Sequence, residues 1–136
     1  MNYLLDPNPD PESLIKQSRF CLKEAQRLIG EGKSVLGAIA LHDHCEYLLK
    51  YKISIMTGEH PDTHSIRGLL HFLKDNSPIM EHLVTNRKNF FNLVKIERAY
   101  IYPKLFTSHI DPKDLIPLLQ FTKDVFDRAL GEISIN

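Results

Sequence analysis

Cysteine is scarce: Cys21 and Cys45 are the only two among 136 residues. That excludes a disulfide-stapled fold and points to a reducing, cytoplasmic setting. Tryptophan is absent and the six glycines are scattered. Gly30-Glu31-Gly32 lacks the rest of any phosphate-loop fingerprint. No serine stands in a nucleophile-elbow pattern. Neither sign of charge is in excess, with 17 Lys plus Arg against 17 Asp plus Glu. This argues against a polybasic coat or an acidic tail, though not against a local basic patch. No apolar run approaches the ~20 residues that span a bilayer, so no membrane association is expected. The opening MNYLLDPNPDPES has an early acid and no basic region, so it does not read as a signal peptide. Strand-like alternation, internal repeats and low-complexity tracts are also missing.

What is present is an average globular composition, 43% apolar and 25% charged. A chain of this length makes one domain and buries about two-thirds of its unfolded surface. Pro7, Pro9 and Pro11 predict an extended lead-in over 1–10, because the residue before a proline disfavours helix. A single helical domain is expected over 11–131, with a short tail over 132–136.

Apolar spacings of three and four predict five helices. The first runs from Pro11, capped by Asp10, to about Ile29, and Gly30 and Gly32 end it. Its inward stripe is Leu14, Ser18, Cys21, Leu22, Ala25, Leu28 and Ile29. The second spans Ser34 to Thr57 with Gly58 as its stop. It is apolar on two sides, leaving only Asp43, Lys50 and Ser54 as a polar strip. It should be the central helix of a bundle, or also face a second subunit. The third follows Thr63-His64 with Ile66, Leu69, Leu70 and Leu73 inward. The fourth runs from Pro78 to Ile101, with Met80, Leu83, Val84, Phe90, Phe91, Val94 and Ile101 as its stripe and Pro103 as its stop. The fifth carries Leu115, Leu118, Leu119, Val125, Phe126, Ala129 and Leu130. Its regular part is expected from about Ile116, because Pro117 lies early. The fold class is all-α, an up-and-down bundle with short connections.

Chemistry concentrates on the fourth helix. Between Glu81 and Lys104 there are five Lys or Arg against two acids. Arg87 and Arg98 fall within about 20° of each other on a helix, with Lys88 and Lys95 on the adjoining side. Arginine suits phosphate, because its planar fork donates two parallel hydrogen bonds. Tyr100, Tyr102 and Lys104 add an aromatic and basic cluster that suits a nucleotide. Arg87 and Arg98 could equally pair with a buried acid, and Glu46 lies inside an apolar stripe. Its expected partner is Arg87, Arg98 or a helix terminus. No metal site is expected. His42 and His44 point to different sides of a helix, and Pro61 interrupts the His60/His64 spacing. Cys21 and Cys45 read as inert hydrophobes.

The order of these features resembles the HEPN family (higher eukaryotes and prokaryotes nucleotide-binding domain). The resemblance is carried by Ala40 to Lys50, read as ALHDHCEYLLK, by Gly58, by Pro61 and Thr63-His64, by Leu69 and Leu70, by the ERAYIYP run over 97–103, and by Ala129. It spans roughly residues 11–131. Glu46, Thr63, His64, Tyr102 and Pro103 match recurring family residues, and Arg98 and Tyr100 lie in the matching segment. The resemblance implies a four- or five-helix bundle, usually a homodimer, often beside a nucleotidyltransferase in toxin–antitoxin pairs. Several members are metal-independent RNases with an Arg, four to six residues, then a His. Here positions 103–105 hold Pro, Lys and Leu after Arg98, and Ile101 stands where the family often has Arg.

The expected function is therefore binding of a nucleotide or RNA phosphate by Arg98, Tyr100, Tyr102, Lys104, Arg87 and His64. No catalytic residue, metal or cofactor is assigned. The alternatives are an RNase in which His64 or His109 serves Arg98 as acid or base, or a protein-interaction module.

Overall fold

The computed structural model describes residues 10–59, 61–75, 78–105 and 111–131, without the side chains of 79, 80, 82, 102–105 and 112. All elements among these residues are helical: α1 (Pro11–Gly30), α2 (Ser34–Thr57), α3 (Ile66–Lys74), α4 (Pro78–Thr85), α5 (Arg87–Leu105), α6 (Pro112–Phe121) and α7 (Asp127–Gly131). A π-helical turn, Thr122–Phe126, joins α6 to α7. No helix among the described residues is long and apolar enough to cross a membrane. The expected lead-in up to residue 9 and the tail after 131 lie outside the described residues, as do His60 and His109.

Helix α1 begins where its cap predicts. The Asp10 carboxylate accepts the Ser13 N–H at 2.8 Å, and Pro11 needs no partner at the first position. It ends in a Schellman turn. Gly32 takes a φ of 79°, the Gly32 N–H donates to the Ile29 carbonyl, and the Lys33 N–H donates to Leu28. The chain then doubles back. Ser18 lies beside His44 and Ile29 beside Gly37, the pairing of an antiparallel helix hairpin. A Cβ on Gly37 would come within 2.7 Å of Ile29 Cγ1, so glycine is what lets these backbones approach.

Helix α2 is the centre of the bundle. Fourteen of its 24 residues are buried, and it packs against α1, α3, α5, α6 and α7. Leu41, Cys45, Leu48, Leu49 and Ile53 of its two apolar sides are buried within the chain, while Ala40, Tyr47, Tyr51 and Ile55 are half-buried. The expected polar strip is largely interior: Lys50 and Ser54 are buried, and only Asp43 is half-open. Gly58 ends the helix at a φ of 90°, its N–H donating to the Ser54 carbonyl.

Ser65 caps α3 by accepting the Gly68 N–H at 3.1 Å. Ile66, Leu69, Leu70 and Leu73 all turn inward as their spacing predicts. The expected fourth helix is broken into α4 and α5. The Asn86 side chain accepts the Asn89 N–H at 3.1 Å and so caps a new helix in the middle of the run. The break resets the phase. Leu93 and Ile96 are buried, while Phe90, Phe91 and Ile101, expected inward, are exposed. Pro103 does not stop α5, which continues to Leu105. A proline this close to the end removes one of the last hydrogen bonds and disturbs little beyond it.

Helix α6 starts at Pro112 rather than near Ile116, because Asp111 caps it by accepting the Lys113 N–H at 2.9 Å. Pro117 is accommodated inside it. Leu115, Leu118, Phe126 and Leu130 carry the last rod into a core shared with Leu41, Leu49, Ile53, Leu69, Leu93 and Ile96.

Candidate functional site

Helix α5 presents a one-signed face. At 100° per residue, Arg87, Lys88, Phe91, Asn92, Lys95 and Arg98 lie on one side of it. The four cations and Phe91 are exposed, Phe91 by 61%. The only acid between residues 87 and 105 is Glu97, and it is buried on the opposite side. From Lys88 to Arg98 the face runs about 15 Å at the helical rise. Its far half borders α6, where a groove of about 440 Å³ is lined by Asn92, Lys95, Arg98, Lys113, Asp114 and Leu118, among others. Three cations thus meet one acid in a concave space. The groove is roomy enough for a phosphate with its sugar.

Glu97 does not neutralise this face, because it is committed elsewhere. Its carboxylate accepts from Arg67 Nε at 2.6 Å, from Ser65 Oγ at 3.1 Å and from the Arg67 backbone N–H at 3.3 Å. Burial pushes the Glu97 carboxyl up. The hydrogen bonds from Arg67 and Ser65, with the guanidinium charge, outweigh burial and hold it below the ordinary carboxylate value. The Ser65 hydroxyl thereby joins the start of α3 to α5.

A second polar group surrounds Glu46 on α2. Glu46 Oε2 accepts from Lys50 Nζ and lies 2.9 Å from His64 Nδ1. The expected pairing of Glu46 with Arg87 or Arg98 is thus overturned. A lysine one turn along its own helix and a histidine from the next connection reach it first. His42 is fully buried, with Nδ1 3.3 Å from Asp43 Oδ1 and 3.9 Å from Glu46 Oε1. Tyr100 of α5 stacks on the His42 ring, centroids 3.7 Å apart and planes 11° from parallel.

A third group has the outline of a hydrolytic triad. Ser18 Oγ is 2.9 Å from His44 Nδ1, and His44 Nε2 is 2.8 Å from Asp127 Oδ1. Ser18 is wholly buried and also donates to the His44 carbonyl. No substrate reaches such a hydroxyl, so the group is a polar tie between α1, α2 and α7. The cysteines are inert. Burial, then the charges of Asp43, Glu24 and Glu46, push the Cys21 thiol up to about 11. Burial, then Asp127, raises Cys45 as well. Neither holds the thiolate needed for nucleophilic work at neutral pH.

The HEPN domain family matches residues 11–133, nearly the whole chain. The chain belongs to the HEPN family. No curated protein and no solved structure matches it. In this HEPN chain the residues singled out from the sequence do not converge on one groove. Arg98 lines the α5–α6 groove and Arg87 stands at the other end of the same face, beside Phe90 and Phe91. Tyr100, two residues and about 200° from Arg98, turns instead toward α2. His64 belongs with Glu46. The side chains of Tyr102 and Lys104 lie outside the described residues. Phe91 and Lys113 were missed. Phe91 read as core until the helix break exposed it. Lys113 meets α5 only through the packing of α6.

Proposed function

We propose that this HEPN domain binds the phosphates of a nucleotide or a single-stranded RNA along the outer face of α5. The observation that carries the reading is the row Arg87, Lys88, Lys95 and Arg98, with no acid of α5 on the same face, interrupted by the exposed ring of Phe91. Arginine and lysine neutralise phosphate, and an exposed aromatic accepts a base of any identity. Lys113 borders the groove on the α6 side, where its neighbour Asp114 offsets it. Phe91 thus takes the stacking role that the sequence suggests for Tyr100. Kinship with the HEPN family supports a homodimer working beside a nucleotidyltransferase, as in toxin–antitoxin pairs. The exposed Ile101 and Ile116 offer apolar surface for such contacts. The absence of a histidine at 103–105 favours binding over RNA cleavage.

The test is titration of a labelled single-stranded RNA, and of ATP, against wild type, Arg98→Ala and Phe91→Ala. Both variants should weaken RNA binding, Phe91→Ala by about 1–3 kcal/mol if one base stacks on it. Equal binding by all three proteins would remove α5 from consideration. Wild type that binds neither ligand would move the domain to a purely protein-binding role.

A further inference from the structure

We propose that His42, Asp43 and Glu46 form a binding site for a divalent transition-metal ion of the zinc class. The site is separate from the α5 face and does not depend on the RNA reading.

The geometry comes first. One donor atom from each of the three side chains lies within 4.8 Å of the other two. His42 Nδ1 is 3.3 Å from Asp43 Oδ1 and 3.9 Å from Glu46 Oε1. A tetrahedral ion about 2.0–2.2 Å from each ligand holds neighbouring donors about 3.3–3.6 Å apart. The donors therefore stand near the required spacing, and small side-chain rotations complete it. His42 and Glu46, four apart, share one helix face, and Asp43 reaches the pair from the adjoining side.

The donors are also held in place. The His42 imidazole is fully buried and clamped by the Tyr100 ring. Glu46 Oε2 is occupied by Lys50 and His64, each at 2.9 Å, which leaves Oε1 on the His42 side. Partners on the second oxygen of a carboxylate ligand are the usual means of orienting it. A histidine kept in the interior for packing alone normally uses both ring nitrogens. Here Nε2 has no hydrogen-bond partner among the described residues, and Nδ1, the nitrogen turned to the two carboxylates, is the one placed to ligate an ion.

Charge and access agree with the geometry. Two carboxylates face one ammonium, Lys50, so the group is net negative before an ion enters. The same field adds to burial in raising the Cys21 thiol. Asp43 is one-third exposed and His64 largely so, which opens a path for the ion from that side. One imidazole and two carboxylates suit zinc, cobalt or manganese rather than a copper or iron–sulfur centre. Three protein ligands leave a fourth position open for water or for an oxygen of a bound ligand.

The experiment uses the full chain without an affinity tag, stripped with chelator. It is titrated with Zn²⁺ by calorimetry and with Co²⁺ by visible absorption. One ion per chain is expected, with the intense visible bands of low-coordinate cobalt. Asp43→Asn and Glu46→Gln should each weaken binding by about tenfold or more, and His64→Gln by less, since it only orients Glu46. Asp43 is partly exposed, so its variant keeps the fold, verified by circular dichroism, even if His42→Gln does not. The exposed His71→Gln should bind as wild type. No stoichiometric binding overturns the proposal. So does undiminished affinity in Asp43→Asn and Glu46→Gln, which would put the ion elsewhere.

Discussion

Removing Lys95 and Arg98 together should halve the salt dependence of RNA binding. Four cations, Arg87, Lys88, Lys95 and Arg98, stand on the acid-free face of α5. Each phosphate neutralised on a single strand contributes about −0.7 to the slope of log affinity against log salt. Four contacts give a slope of about −2.8, so raising salt from about 50 to about 200 mM weakens binding about 50-fold. With Lys95→Ala and Arg98→Ala combined, the slope falls to about −1.4 and the same change in salt costs about 7-fold. Fluorescence anisotropy of a labelled single-stranded oligonucleotide across a salt series reads both slopes. Phe91→Ala serves as the contrast. It should lower affinity at every salt concentration with the slope unchanged, because stacking releases no counterions. A double variant that keeps the wild-type slope would refute the reasoning, since the phosphates would then lie against other residues.

Three further outcomes follow from the packing. Because the folded Glu97 carboxyl lies below its ordinary value of 4.5, the unfolded chain binds the proton first. Its contribution is therefore present above pH 4.5 and lost as pH falls through the lowered folded value. Acid unfolding curves should show this loss in wild type and not in Glu97→Gln. Asp127→Ala leaves a nitrogen of the buried His44 without its partner and should cost about 1–3 kcal/mol, read from urea unfolding. Gly37→Ala meets Ile29 at 2.7 Å on its side chain and 3.3 Å on its backbone nitrogen. The hairpin of α1 and α2 must spread, which should cost about 1–3 kcal/mol despite alanine's better helix propensity, with a lower melting temperature.

The boundaries of α1 and α2 were legible because their signals are local. Asp10 with Pro11, Gly32, and Gly58 act on atoms within a few residues of themselves. The inward face of α3 was legible for the same reason, since a single short helix gives its stripe no room to drift. The region from Pro78 to Leu105 was not. Asn86 caps a new helix within what reads as one continuous period, and the phase that had placed Phe90 and Phe91 inside no longer applies. The cation row on α5 was visible, because Arg87, Lys88, Lys95 and Arg98 all lie beyond the break and keep their mutual angles. Of its two candidate aromatics, Tyr100 is drawn onto His42 by the α2–α5 contact, and the side chain of Tyr102 lies outside the described residues.

Composition, helical period and capping chemistry thus determined an all-α bundle with α2 at its centre, and a basic run on one later helix. The tertiary structure alone decided the partners. Glu46 met His64, Glu97 met Arg67, and His44 met Asp127. The physical reason is range. A cap or a period is read from neighbours in sequence, whereas a buried charge takes whichever opposite group the packing of other helices brings within about 3 Å.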